Sequence, residues 1–351
     1  MDVERDPGAW DALVEAAPRG SYLQLPAWAD VKAANGWRST RIAVDGPVGP
    51  AGLQVLARQP RPLPWAFAYA PRGPVWTADP AGAVAPLTRR LREELASSLG
   101  RTSHLRIDPE IERDGPEDDG GAFRDALAAS GWRPAPPIQP DRTRLIDLRA
   151  DEGALWSDLR KKWRQYVNRA RTAGVRVVEA ESDRLPEFYE IYRETASRAG
   201  FHIRTEASYR AVWEAFRPRG RASLLFAETA DGQAVATLFL VRVGTRVVEP
   251  YGGMTALGAE SRGNYLLKWE AIRRSREAGA ETYDLWGLAH PGIAHFKTGF
   301  GGREVIYVGA WDLVVDGLGR RVYAGAQRVR VWQARRSLER GASNQLGGDE
   351  G

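Results

Sequence analysis

Apolar positions along the chain keep a helical period in some stretches and a strand-like clustering in others, in a regular order. Between residues 154 and 173, Leu155, Leu159, Trp163, Tyr166, Val167 and Ala170 fall on one helical arc and basic residues on the opposite one, the stripe of an amphipathic helix with a basic outer face. Gly174 is placed to cap its end, ahead of the strand-like VRVV. Tyr209, Val212, Trp213 and Phe216 repeat the spacing i, i+3, i+4, i+7 and predict a helix over 206–216 with Thr205 as N-cap. Arg204 then stands just before a helix N-terminus, where free amides, the positive dipole end and a guanidinium favour the same anion. An ordinary surface arginine is the plainer reading of that spacing. The segment GRRVYAGAQRVRVWQARRSLERG reads as a further basic amphipathic helix packed back on a domain, with ASNQLGGDEG disordered after it.

Two longer segments share one plan. YAPRGPVW (69–76) is followed by a helical stretch and the strand-like HLRIDP; EPYGGM (249–254) is followed by RGNYLLKWEAIRRSREAGA and YDLWGL. In each, a strand ends in a glycine turn, a helix follows, and the next strand carries an acid, Asp108 or Asp284. One α/β unit used twice is the expectation. The proline-rich RPAPPIQPDRTRLIDL (133–148) between the copies favours an extended crossing strand.

The length of 351 residues exceeds the usual size of one core and predicts two domains. No run approaches 18 uncharged apolar residues and the N-terminus lacks a signal-peptide pattern, so a cytoplasmic protein is expected. With no cysteine and four scattered histidines, thiol chemistry is excluded and a metal site is not expected. The net charge of +5 favours anionic partners. Of 50 basic residues only Lys32, Lys161, Lys162, Lys268 and Lys297 are lysines, and Lys297 sits between a phenylalanine and a glycine cluster in FKTGFGG. A lysine extending from a strand end beside a bulge glycine is one reading of that motif.

Taken together, SYLQLPAWADVKAANGW, YAPRGPV, LRIDP, YDLWGL and FKTGFGG resemble, in identity and order, the Fem family of aminoacyl-tRNA-dependent peptidoglycan transferases, over residues 20 to 325. The resemblance implies a mixed α+β or α/β fold of two GNAT-like acyltransferase domains in tandem. Sustained charged heptads are lacking, which points to the form without a coiled-coil arm. Residues 1–148 plus about 312–340 would form the first domain, on the acceptor side, and 149–311 the second, on the donor side.

The implied reaction is aminolysis: a stem-peptide amine of UDP-MurNAc-pentapeptide or lipid II attacks the ester of an aminoacyl-tRNA. That tRNA is a co-substrate, and no cofactor is required. An activated ester needs alignment, amine deprotonation and oxyanion stabilisation, without a covalent enzyme intermediate. By the resemblance Phe296 and Lys297 serve the donor, Lys297 as cation for the oxyanion or terminal phosphate and Phe296 as a face for the terminal adenine. Lys32 and Arg204 grip the acceptor diphosphate, with Tyr209 and Tyr251 beside them. Asp108, ending a strand, is the candidate base, or else caps a neighbouring turn; Gln24, Trp28 and Trp37 read as scaffold. A transient approach to the anionic inner membrane face is compatible with the basic surface.

Three rivals remain at this level. An acyl-CoA N-acyltransferase would want a pyrophosphate loop with two small residues, whereas ESRGNYLLKW lacks the second. A tRNA-dependent transfer to another small amine would not need Lys32 and Arg204. A non-catalytic nucleic-acid binder would show aromatic-basic recognition motifs, which are absent.

Overall fold

The structure, a computed structural model, describes residues 3–45, 49–97, 101–115, 120–288, 291–326 and 328–329. Fourteen strands among them form two seven-stranded sheets. The first sheet contains β1 (Arg38–Val44), β2 (Ala51–Arg58), β3 (Ala66–Ala70), β4 (Val75–Trp76), β5 (Thr102–Ile107), β6 (Trp132–Ala135) and β14 (Ala310–Val314). The second contains β7 (Arg142–Asp147), β8 (Arg176–Ala180), β9 (Ala222–Glu228), β10 (Ala234–Val243), β11 (Arg246–Met254), β12 (Thr282–Asp284) and β13 (Arg303–Ile306).

The repeated sequence plan is the repeated fold. Among the described residues only two strand pairs are parallel, β3 with β5 and β11 with β12. Each is joined by a long helix, Pro80–Ser97 and Gly263–Glu277, as parallel neighbours demand. Strands β3 and β5 are buried at every residue, the near-continuous apolar character of parallel strands covered on both faces. Past each parallel pair the next strand comes from a distant part of the chain: β14 lies between β5 and β6, and β7 between β12 and β13. The molecule is two GNAT-like units in tandem.

Because β7 pairs with β12 and β13, the chain leaves the first sheet between residues 135 and 142, not at the expected 148. The register explains it: in β7 Thr143 and Ile146 are buried within the second sheet, and the Thr143 hydroxyl donates to Asp284. The return falls between β13 and β14, so residues 310 and 311, expected in the second domain, lie in the first sheet. A helix over 317–326 then packs on the first unit, with Tyr323 stacked on Phe67 at 4.5 Å and the Trp65 indole donating 2.8 Å to Asp316. The remainder of the expected C-terminal helix and the tail lie outside the described residues.

The single helix expected from residue 154 onward is two. Glu152–Asp158 and Lys161–Thr172 are separated by extended backbone at Leu159 and Arg160. Arg160 N–H donates 3.0 Å to the Gly299 carbonyl, so the break gives its amide to the FKTGFGG segment. The expected Gly174 cap forms at φ 78°, and Thr205 does occupy the N-cap of Glu206–Phe216.

One apolar cluster spans both units, joining Trp10, Tyr22 and Trp28 to Phe188, Phe216 and Phe239. Beside it runs a buried ionic chain: Arg72 meets Glu110 at 3.1 Å, and Arg246 bonds both Glu110 and Asp284. Among the described residues no helix is long and apolar enough to cross a membrane.

Candidate active site

Lys32 sits in the last turn of the helix Pro26–Ala33, half-buried, with its ammonium 5.0 Å from the Trp28 ring centroid and 6.0 Å from that of Trp37. Arg204, from the second unit, sets its guanidinium 5.6 Å from the same Trp28 ring. Two cations from different halves of the chain thus share one indole, and Arg58 at the end of β2 is close enough to repel Lys32 as well. Burial first, then Arg204 and Arg58, push the Lys32 ammonium down to about 8, with no acidic group among the described residues offsetting them. Cations gathered without a carboxylate, against aromatic walls, make a site that an anion completes.

Behind Arg204 stands a cluster of tyrosines. The Arg204 backbone N–H donates 3.0 Å to the Tyr209 hydroxyl, the Tyr209 and Tyr251 rings meet edge-on at 5.0 Å, and Tyr22 hydrogen-bonds Tyr251. Burial pushes Tyr209 up to about 12 and raises Tyr22 and Tyr251 too, so all three are neutral phenols at physiological pH. Trp28 therefore does more than the scaffold role expected for it, whereas Gln24 fits that role: fully buried, its amide donates 2.7 Å to the Pro71 carbonyl and its oxygen accepts from Gln54 N–H at 2.8 Å.

The second half of the site lies where β11 and β12 part. Their pairing ends at Val248 and Asp284, and beyond this splay the β11 side borders a cavity of about 600 Å³ lined by Glu249, Gly252, Asn264, Lys268, Phe296 and Lys297, among others. Phe296 and Lys297 come from the helix Pro291–Thr298, so Lys297 extends from a helix and not from a strand end. Trp286 adopts a left-handed backbone (φ 48°), fixed by its N–H donating 2.8 Å to Asp284. Its carbonyl and that of Gly287, the latter at 3.0 Å, accept from the Lys297 ammonium. Burial above all pushes Lys297 down to about 8, with Lys268 adding to the fall and Glu249 opposing it.

Phe296 lies edge-on to Tyr265 (5.1 Å) and Phe300 (5.2 Å), with the Lys268 ammonium 5.6 Å from its ring centroid. Lys268 is itself buried in an ion pair with Glu249, whose other oxygen accepts 2.8 Å from the Tyr283 hydroxyl. The glycines after Lys297 serve close packing: a Cβ on Gly299 would lie 2.2 Å from the Trp163 indole nitrogen, and one on Gly302 2.2 Å from the Leu145 carbonyl.

The two halves meet through aromatic contacts. Tyr22 packs on Trp28 (5.7 Å) and on Trp286 (5.9 Å), and Trp286 carries the carbonyl that holds Lys297. Asp108 stands apart from this line. It is 3% exposed and accepts from Tyr69 O–H at 2.6 Å, Arg72 N–H at 2.8 Å and Gln139 N–H at 3.1 Å. Burial raises its pKa against the pull of Arg72. This is the geometry of the turn cap, tying the loop after β3 to the crossing segment, with three of the carboxylate's lone pairs already engaged. Arg58, Trp286 and Glu249 were not singled out from the sequence, Trp28 was read only as scaffold, and Lys268 was given no role. Only Lys268 carried a signal, as one of five lysines in an arginine-rich chain.

Fold and site together define a tandem GNAT-like protein with a cluster of cations where its units meet and a splayed-strand cavity in the second. The chain belongs to the FemAB family, whose profile matches residues 8–231 and 219–328. It is 29% identical to the lipid II:glycine glycyltransferase of Staphylococcus saprophyticus, over 62% of this chain and 53% of that one. With the enzyme of the same name from Staphylococcus haemolyticus it shares 26% identity over 87% of this chain and 91% of that one. The chain thus spans about half the length of the first relative and most of the second. Among solved structures, the crystal structure of FemX superposes with a TM-score of 0.78 at 20% identity, covering 91% of this chain and 98% of that one.

Proposed function

We propose that this protein is an aminoacyltransferase that moves an amino acid from aminoacyl-tRNA to the stem-peptide amine of a peptidoglycan precursor, UDP-MurNAc-pentapeptide or lipid II, and so builds an interpeptide bridge. The observation that supports this reading is the pair of cations Lys32 and Arg204 on Trp28, with Arg58 close enough to repel Lys32, one aromatic step from the Trp286 turn that holds Lys297. A diphosphate matches the cluster in charge, and the acceptor's peptide then runs past the tyrosines toward the splayed-strand cavity.

In that cavity the amine nitrogen bonds to the ester carbon, giving a tetrahedral oxyanion; the C–O bond to the ribose then breaks, and the amine's proton passes to the departing ribose oxygen. Lys297, still largely an ammonium at neutral pH, offers charge to the oxyanion in a low-dielectric setting. Asp108 positions the loop and takes no proton. The donor's nucleic acid lies along the helix Lys161–Thr172, whose exposed Lys161, Lys162 and Arg169 border the cavity through Trp163. The donor places the reaction in the cytoplasm, and with lipid II the basic surface meets the inner membrane face transiently.

Ligand-induced thermal shift separates this from the acyl-CoA reading. UDP-MurNAc-pentapeptide and charged tRNA should each raise the unfolding temperature, the tRNA effect shrinking steeply from about 50 to 200 mM salt. Stabilisation by coenzyme A and by neither of the others would refute the proposal.

A further inference from the structure

The donor cavity holds polar groups that the reaction just described does not use. Glu249 is the only acid among the described residues lining it, against Lys268, Lys297, His295 and Arg198. Its Oε1 accepts from Lys268 and its Oε2 from Tyr283. A carboxylate offers about four lone-pair positions, so two partners leave capacity on the cavity side. The second group is Asn264, in the first turn of the helix Gly263–Glu277. Its side-chain oxygen is buried, has no hydrogen-bond partner and belongs to a residue lining the same cavity. A buried acceptor left open costs stability unless a ligand donor fills it. The rest of the wall mixes apolar surface from Ala236, Leu238, Gly252 and Phe296 with N–H and hydroxyl side chains from Trp163, Tyr192, Thr195, Thr237 and Tyr265.

Two open acceptors in a cavity whose other charges are cationic fit a ligand group that is itself a cationic donor. The donor proposed above carries one such group, the α-ammonium of its amino acid, adjacent to the ester carbonyl that Lys297 faces. We propose that Glu249 and Asn264 form the α-ammonium subsite of the donor cavity, so that the protein discriminates aminoacyl donors from otherwise identical hydroxyacyl donors. The inference rests on the donor reading given above. Lys268 and Tyr283 are positioning residues in this scheme, because they fix the Glu249 carboxylate without touching the donor.

The test compares tRNA charged with glycine or alanine against the same tRNA after nitrous-acid conversion of the amine to a hydroxyl. The glycolyl and lactyl esters keep the size and the reactive carbonyl and lose only the charge and its N–H donors. The aminoacyl donor should give a kcat/KM about a hundredfold higher, the scale of charge-assisted hydrogen bonds. Asn264→Leu breaks no hydrogen bond in the folded chain. It should reduce that preference about tenfold by slowing the aminoacyl donor alone, a residue recognising one donor group losing about one such bond. Glu249→Gln combined with Lys268→Met, which removes both buried charges together, should reduce the preference as well. Equal use of hydroxyacyl and aminoacyl donors by the unaltered protein would overturn the inference while leaving the donor reading intact. Equal slowing of both donors by Asn264→Leu would also overturn it, since that is what a purely structural asparagine would do. No transfer from any charged tRNA would instead remove the donor reading, and this inference with it.

Discussion

Trp28 is the residue at which cations from the two halves of the chain converge, because Lys32 and Arg204 approach the same ring from opposite units. Each charge-assisted contact to a phosphate contributes on the order of 1.5 to 3 kcal/mol. Lys32→Met or Arg204→Met should therefore raise the acceptor KM at least ~10-fold and leave the tRNA KM nearly unchanged, as steady-state kinetics with each substrate varied will read. The pH dependence has a definite sign. Lys32 and Lys297 both titrate near 8 in the folded chain, against an ordinary lysine value of 10.5. The unfolded chain thus binds more protons between those values, and their contribution to stability grows as pH rises through that window. Acceptor binding needs the Lys32 ammonium and should move the other way, its KM climbing as pH passes about 8; a flat acceptor KM from pH 7 to 9.5 would separate Lys32 from the diphosphate. At Lys297 the magnitudes decide between structure and chemistry. Losing its hydrogen bonds to the Trp286 and Gly287 carbonyls costs roughly 1 to 3 kcal/mol of stability, whereas losing an oxyanion cation lowers kcat about 10² to 10³-fold. Lys297→Met should stay folded in urea titration and turn over at that reduced rate; normal turnover would give Lys297 a purely structural role.

At the scale of elements, the sequence made the local features readable and concealed the long-range ones. The two strand-helix-strand copies, the glycine cap at residue 174 and the helix 206–216 follow from spacing and turn residues within a dozen positions, and each is present. The break at Leu159–Arg160 was not readable because its cause is the Gly299 carbonyl, far along the chain. The placement of β7 in the second sheet was hidden for the same reason, its partners being β12 and β13. In FKTGFGG the resemblance singled out the Phe–Lys pair, but not why the glycines follow: Gly301 and Gly302 have φ of 85° and 70°, and Gly302 packs on β7. Gly302→Ala combines left-handed strain of roughly 1 to 2 kcal/mol with a Cβ placed 2.2 Å from the Leu145 carbonyl, a backbone atom that cannot rotate away. It should destabilise the protein by more than the strain alone and loosen the helix Pro291–Thr298, measured as a fall in both unfolding midpoint and turnover. A substitution without effect on either would show that this junction is slack. Glu249 escaped notice because an acid in a strand means little until Lys268 and the splay are placed around it.

For the whole molecule, the site depends on the two units being held as one body. The shared apolar cluster and the chain Arg72–Glu110–Arg246–Asp284 cross the junction, and Glu110 and Asp284 are essentially inaccessible to water. Removing one partner of a buried ion pair typically costs about 3 to 5 kcal/mol because it strands the other charge. Arg246→Leu leaves Asp284 without its cation and Glu110 with Arg72 alone, so its loss in denaturant unfolding should reach that range. Breaking the solvent-screened Arg193–Glu190 pair should leave the unfolding midpoint nearly unchanged. Comparable small losses for both would mean that the ionic chain does not hold the units together.

In the proposed reaction Lys32 and Arg204 on one side of Trp286 and Lys297 on the other serve a single transfer from aminoacyl-tRNA to a muramyl peptide. Its most direct test supplies the protein with a labelled amino acid, the cognate synthetase, ATP, tRNA and UDP-MurNAc-pentapeptide or lipid II, and follows label into the stem peptide, with a parallel reaction digested by ribonuclease. The account predicts label in the peptide, abolished by digestion and not restored by any acyl-CoA. Transfer that survives complete digestion of the tRNA, or that proceeds equally from an acyl-CoA, would contradict it.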